Sequence, residues 1–347
     1  MKAVVFIKPG QVEVQAVPKP KIDGDNQALI RVIRASVCGS DLWWYRGISE
    51  RAANSLVGHE AIGIVEEVSS DVKNFHPGDF VIVPFTHGCG HCVACLNGFE
   101  GNCLNQQPHT NGGYQAEFMI YEPADSGLVK IPGNPEDYSE DQLASLQTLS
   151  DVMATGFHAV RNAEIKQGMT VAVIGDGAVG LCGVIGAQLL GAEKIILLSH
   201  HEDRALLGKE FGATDVVATK GDQAIADVLT LTKENAGADA VLECVGAASA
   251  IEQAGQIARP GAVIGRVGVP QTEPKSNQLF WKGVGLRGGI ASVTQPDKAI
   301  LLQAVLDGRI NPGKVFTKHF DLDHVEDAYE AMNQRTAIKS LLIVNNK

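Results

Sequence analysis

Short stretches in which apolar residues run together or alternate with polar ones dominate the first part of the chain. The apolar run that ends at Lys8-Pro9, and the segments Ala28–Ile33, Ala61–Val68, Asp79–Val83 and Tyr114–Ile120, read as β-strands, because a pleated strand puts successive side chains on opposite faces. Turn residues such as Asn74 and Pro77-Gly78 separate them. Crossover helices are scarce, so an all-β, barrel-like unit is expected here. The pattern changes near residue 140. Ser139-Glu140-Asp141-Gln142 has the composition of a helix start, a capping serine followed three residues later by an amide. Strands and helices then alternate. Thr170–Ile174, Lys194–Leu198, Asp215–Ala218, Ala240–Cys244 and Ala262–Val267 read as strands, and Ala178–Leu190 and Asp203–Phe211 as helices. That rhythm predicts a doubly wound parallel sheet. A helix over Asp297–Leu306 and a last strand over Leu341–Val344 are expected to return to the first unit. The fold class is α/β, with one domain over 1–150 and 291–347 and a second over 151–290.

A chain of 347 residues suits two cores better than one. The formal charge of −11 argues against nucleic acid or an anionic membrane as a partner. The first apolar run is too short for a signal-peptide core, and no run is long enough to span a membrane. A cytoplasmic setting is therefore expected. The 38 glycines exceed an average share and point to tight turns and close ligand approach.

Gly175-Asp176-Gly177-Ala178-Val179-Gly180 is a G-x-G-x-x-G element that follows an expected strand and opens an expected helix. In that context Gly175 permits the turn, Gly177 lets the backbone approach a pyrophosphate, and Gly180 lets helix and strand pack closely. The helix N-terminus would hold the phosphates. A nicotinamide dinucleotide is the expected ligand. An NAD site usually has an acid at the end of the second strand. Here Leu198 is followed by Ser199, His200 and His201, with Arg204 close behind. Ser199, His200 and Arg204 could donate to a 2′-phosphate, so NADP is expected over NAD. The alternative is that Glu202 or Asp203 turns inward to serve the ribose of NAD.

Of seven cysteines, Cys89, Cys92, Cys95 and Cys103 are clustered. Four thiolates at that spacing can wrap one tetrahedral Zn²⁺ with no open position, which is the mark of a structural site. Disulfides or an iron–sulfur cluster are the competing readings. Cys182 and Cys244 read as core residues.

Cys38, His59 and Asp151 are scattered. Taken singly, each is as readily a core residue, a cap or a surface polar group as a ligand. Together, Cys38-Gly-x-Asp41, Gly58-His59-Glu60, Pro77-Gly78-Asp79-x-Val81, the cysteine array and the glycine loop resemble, in that order, zinc-containing medium-chain alcohol dehydrogenases. The resemblance covers essentially the whole chain. It implies a GroES-like catalytic domain with a Rossmann domain, about two zinc ions per chain, and an oligomer, homodimer or homotetramer. It implies that Cys38, His59 and Asp151 hold a catalytic zinc, that Glu60 is a carboxylate able to swing onto it, and that Ser40 starts a proton relay. It also places Thr155 near the nicotinamide, Val245-Gly246 and Val267-Gly268-Val269 along the cofactor crevice, and Lys339 against the pyrophosphate. One departure is Trp43, which stands where such enzymes commonly carry the histidine that continues the relay. Indole cannot shuttle a proton. Trp43 and Trp44 either narrow the substrate pocket or simply pack.

The expected reaction is hydride transfer between an alcohol, or its aldehyde or ketone, and the nicotinamide. A polyol dehydrogenase, a zinc-free quinone or enoyl reductase, and a non-catalytic zinc protein are the rivals. Zinc content separates the last two, with about one zinc or none, from the expected enzyme with about two per chain.

Overall fold

The computed structural model describes residues 1–105, 112–271, 276–292 and 295–345. It divides into two units, Met1–Asp151 with Thr294–Lys347, and Val152–Val293.

The first unit is built on a seven-stranded sheet and a three-stranded one. In the larger sheet, strand Ala28–Ser36 pairs antiparallel with Ala61–Val68, with Phe118–Tyr121 and with Lys339–Ile343. The last of these brings the end of the chain back to its beginning. Alternation along these strands sends Ile30, Val32, Val65, Val81 and Leu342 into one core with Trp44, Tyr114 and Tyr329. Two expectations change here. The segment from Tyr114 to Glu117 is not regular strand; Ala116 makes only an isolated bridge to Ala3, and the strand proper is Phe118–Tyr121. Nor is the region before residue 139 purely β, since it holds the short helices Asp41–Tyr45, Val93–Leu96 and Ala124–Gly127, after which the helix expected from Ser139 runs over Glu140–Thr148. The capping box of the last forms as its sequence predicts: Ser139 Oγ accepts from the Gln142 amide at 3.3 Å and Gln142 Oε1 from the Ser139 amide at 3.0 Å.

The second unit carries a six-stranded parallel sheet in the order Asp215–Val217, Lys194–Leu198, Thr170–Ile174, Ala238–Glu243, Ala258–Arg266, Gly285–Gly288. Parallel strands are covered on both faces, which is why they read as continuous apolar runs. Val171, Ala172 and Val173 are all fully buried. The strand order reverses between Thr170–Ile174 and Ala238–Glu243, and the crevice outside the carboxyl ends at such a switch point is where ligands bind in open α/β sheets. Among the described residues no helix is long and apolar enough to cross a membrane.

Candidate active site and metal centres

Three separate segments of the first unit bring Cys38, His59, Glu60 and Asp151 together, with one ligand atom from each lying within 4.8 Å of the others. Cys38 follows the long strand Ala28–Ser36, and its turn is fixed by the Asp41 carboxylate, which accepts from the Cys38 amide at 3.0 Å. His59 follows Gly58, whose φ of +90° and 2.4 Å approach of a would-be Cβ to Gln115 Cγ leave room only for glycine. Asp151 comes at the turn ending helix Glu140–Thr148. That turn is tied down where the Phe85 amide donates to the Ser150 carbonyl at 3.0 Å.

The separations suit a small tetrahedral cation. Cys38 Sγ is 3.4 Å from Asp151 Oδ2, and His59 Nε2 is 3.5 Å from the same oxygen. Zinc–ligand bonds of ordinary length in a tetrahedron put neighbouring donors roughly 3.3–3.8 Å apart. The donor chemistry asks for a cation too. Burial, with the Asp151 carboxylate behind it, pushes the Cys38 thiol up to about 11. Burial would lower His59, but the negative charge of Asp41 and Cys38 holds it well above its usual value. Buried acids and a sulfur crowded this way need positive charge between them.

Glu60 faces the cluster from one side. Its Oε1 lies 4.0 Å from His59 Nε2. It is fully buried and gripped by Ser36, whose hydroxyl donates to Oε2 at 2.5 Å, and by Lys339, whose ammonium donates to Oε1 at 2.7 Å. Ser36 is held in turn by the Gln147 side chain at 3.0 Å. Burial raises Glu60, and the Lys339 charge opposes it; for Lys339 the carboxylate outweighs burial, so the ammonium stays charged. Lys339, expected against the pyrophosphate, is 1% exposed, and its ammonium donates to Glu60 and, at 3.0 Å, to the Val37 carbonyl.

Asp41, the last residue of the Cys38-Gly-x-Asp41 motif, stands beside His59. Its Oδ1 lies 3.7 Å from His59 Nδ1, while the other ring nitrogen, Nε2, faces Asp151. Ser40 is exposed and precedes helix Asp41–Tyr45. Trp44 belongs to the core, 5.1 Å from Phe6 and 5.5 Å from Tyr329 between ring centres, whereas Trp43 is half-buried.

The second cluster is local. Cys89, Cys92, Cys95 and Cys103 converge with all four thiols free. Cys92 Sγ lies 3.5 Å from Cys95 Sγ and 3.9 Å from Cys103 Sγ, far beyond a sulfur–sulfur bond and close to the edge of a Zn–S₄ tetrahedron. Backbone N–H groups aim at the sulfurs, from Cys89 to Cys103, from Cys92 to Cys89 and from Leu104 to Cys92. Such donors favour thiolate. Those from the Cys95 and Leu104 backbones bring Cys92 down to about 6, while burial takes Cys95 up to about 12.

In the second unit the glycine loop Gly175–Gly180 sits at the switch point. A Cβ on Gly180 would lie 1.9 Å from the Gly175 carbonyl, so helix and strand meet there as only glycine allows, while Gly177 has open space where a Cβ would project. Gly177, Ala178 and Val179 open helix Ala178–Leu189. Across the crevice Val245-Gly246 and Val267-Gly268-Val269 are pressed together, a Gly246 Cβ falling 2.0 Å from the Val269 carbonyl. The Glu243 carboxylate accepts from the Val245 and Gly246 amides at 2.9 and 2.6 Å. This cradle fits a dinucleotide. Thr155 is half-buried on helix Val152–Asn162. On the same helix the His158 ring meets the Ser292 carbonyl at 2.7 Å. At the end of the second strand Ser199 and Arg204 converge, but His200 does not join them. Its Nδ1 lies 2.9 Å from the Ala218 carbonyl, and His201 takes the place instead.

The alcohol dehydrogenase GroES-like domain profile matches residues 24–133, and the zinc-binding dehydrogenase profile matches residues 178–300. A Mycoplasma pneumoniae protein named "Probable NADP-dependent isopropanol dehydrogenase" is 32% identical over 99% of this chain and 100% of its own. An alcohol dehydrogenase of Cupriavidus necator is 29% identical over 99% of this chain and 98% of its own. The solved alcohol dehydrogenase of Thermus sp. ATN1 superposes with a TM-score of 0.90 at 30% identity, covering 99% of this chain and 100% of that one. With a GroES-like unit, a Rossmann-type parallel sheet and these relatives, the chain belongs to the zinc-type medium-chain alcohol dehydrogenases, an oxidoreductase family that works with zinc and a nicotinamide cofactor.

Proposed function

We propose that the protein reversibly transfers hydride between a small alcohol, or its aldehyde or ketone, and a nicotinamide cofactor, with NADP preferred over NAD and about two zinc ions per chain. The observation that carries this reading is the convergence of Cys38, His59 and Asp151 from three distant segments at tetrahedral spacing, with Glu60 alongside. Cys38, His59 and Asp151 would hold the catalytic zinc, and the four-cysteine lobe a structural one. When bound, zinc supplies Lewis-acid polarisation of the substrate oxygen, and the nicotinamide ring accepts or returns the hydride.

The chain's own residues do the rest. Asp41 orients the His59 ring through its Nδ1 side. Ser36 and Lys339 hold Glu60 in place beside the cluster. Ser40 takes the alcohol proton on its hydroxyl. Because Ser40 is exposed and Trp43 cannot carry the proton on, the relay ends in water. The domain over 1–150 and 291–347 would be catalytic, and the domain over 151–290 would bind the dinucleotide. Gly175, Gly177, Ala178, Val179 and Gly180 would cradle the pyrophosphate, Thr155, Val245, Gly246, Val267, Gly268 and Val269 would line the cofactor, and Ser199 and Arg204 would read its 2′ end.

NADP is favoured because no acid closes the second strand and because the Mycoplasma relative is named for that cofactor. The free thiols suit the reducing cytoplasm. A homodimer or homotetramer is proposed from the second unit's open sheet edge, Gly285–Gly288, beside which Phe280 and Trp281 are 74% and 79% exposed. The test is zinc content together with turnover of short alcohols, aldehydes and ketones with NADP(H) and NAD(H). Two zinc ions and NADP-linked turnover are expected. One zinc and no turnover with either cofactor would overturn the reading.

A further inference from the structure

The three groups best placed to bind a 2′-phosphate are all engaged with one carboxylate. Ser199 Oγ donates to Asp176 Oδ2 at 2.8 Å, His201 Nδ1 lies 2.9 Å from the same oxygen, and Arg204 Nη1 lies 3.3 Å from Oδ1. Asp176 is the variable residue between Gly175 and Gly177, so no reading of the second strand alone would find it. Its side chain is 14% exposed and that of Arg204 13%. Burial would raise the Asp176 carboxyl, but the bonds from His201 and Ser199 and the charge of Arg204 hold it below the usual carboxylate range, and it is ionised at neutral pH.

Ser199 immediately follows the strand Lys194–Leu198, the position from which a dinucleotide site reads the adenosine ribose. A carboxylate hydrogen-bonded to Ser199 therefore stands at the 2′ reading position, although it comes from the glycine loop. Resting on the dinucleotide reading above, we infer that Asp176 is the specificity-determining residue of the cofactor site, an internal anion that a 2′-phosphate must displace from Ser199, His201 and Arg204. NADP has to draw these donors off Asp176 and sit beside a like charge. The 2′-hydroxyl of NAD can donate to Asp176 without disturbing them. Asp176 thus narrows the NADP preference that the donors alone would produce and keeps NAD usable.

The inference concerns adenosine recognition only, so it can be tested without turnover. Isothermal titration of the zinc-loaded protein with adenosine 2′,5′-bisphosphate and with adenosine 5′-monophosphate gives a ratio of affinities that reports the 2′-phosphate alone. Asp176→Asn, which keeps the shape and removes the charge, should raise that ratio about tenfold or more, with 5′-monophosphate binding kept as the sign of an intact fold. Asp176→Ala should shift it the same way. Adding Arg204→Gln to Asp176→Asn should take the gain back. An unchanged or lowered ratio in both Asp176 variants, with 5′-monophosphate still bound, would overturn the inference and leave the dinucleotide reading standing. Binding of neither nucleotide to the unaltered protein would overturn both.

Discussion

The two metal-ligand clusters hold together in opposite ways. In the cysteine lobe all four donors lie within one stretch of chain, Cys89 and Cys103 being 14 positions apart. The loop's own backbone amides serve the sulfurs. Its geometry is written locally, and a set of four thiolates could close around an ion. In the other cluster Cys38 and Asp151 are 113 positions apart. Its donors are of three kinds, and the residues that steady them come from further elements still: Asp41 for His59, and Ser36 and Lys339 for Glu60. A cluster whose ligands are anchored from outside can leave a coordination position to a substrate, because its shape does not depend on filling every position with protein.

The widest separation between the two should appear when each loses one ligand. His59→Ala is expected to lower kcat/KM about a thousand-fold or more, since polarisation by a bound metal is worth several kcal/mol and each 1.36 kcal/mol is a factor of ten. Bound zinc should fall from about two to about one per chain, with little change in thermal unfolding. Cys103→Ser should also leave about one zinc, but with most of the activity retained and early proteolytic cutting in the lobe, which exposes Val93, Leu96 and Leu104 and has little apolar core of its own. Metal analysis, kinetics and limited proteolysis on the pair would decide it. Equal loss of activity in both would mean that the clusters are not separable.

Next in size is the anchor behind Glu60. Lys339→Met leaves a fully buried carboxylate without its cation, and breaking such a pair costs about 3–5 kcal/mol. Replacing both partners, Glu60→Gln with Lys339→Met, should recover most of that stability, because two neutral side chains replace the pair. Chemical denaturation of these two variants, of Glu60→Gln alone and of the native protein completes the cycle. A double variant no more stable than Lys339→Met would show that the ammonium's bond to the Val37 carbonyl, rather than the pair, is what matters.

How much of this was legible beforehand follows the same division. The lobe could be read from spacing because its ligands are neighbours in sequence. The parallel sheet could be read because each strand and helix declares itself locally, as Ser139 and Gln142 do at the start of their helix. Cys38, His59 and Asp151 could be joined only through resemblance to a family, since nothing within each segment says that the three meet. The bond of Lys339 to Glu60 and those of Asp176 to Ser199, His201 and Arg204 are not legible there, for one reason. Which carboxylate a cation faces depends on how distant strands register, and no local pattern records that. The same holds for the choice between His200 and His201, where a strand's end decides which ring turns toward Ala218 and which toward Asp176.

The smallest effect, and the one that bears most directly on outside anchoring, lies at Asp41. Asp41→Asn keeps the shape of the turn but removes the charge 3.7 Å from His59 Nδ1, a distance long for a hydrogen bond and short for electrostatic attraction. Loss of a partner of this kind weakens zinc binding about 10- to 100-fold. Asp41 also has an opposing effect. Its charge helps to hold the His59 pKa well above the usual value, and zinc takes only the neutral ring, so in the metal-free protein a proton competes with the metal as pH falls. Without Asp41 the ring loses its proton more easily, and that competition relaxes. The zinc affinity of the native site should therefore fall more steeply with decreasing pH than that of Asp41→Asn, and the gap between the two, widest near pH 8, should narrow toward pH 6. Zinc competition titrations at the two pH values measure it directly. A gap that stays constant would mean that Asp41 acts only by fixing the Cys38 turn through the Cys38 amide, and that His59 is oriented by packing against Phe85, 5.8 Å away between ring centres.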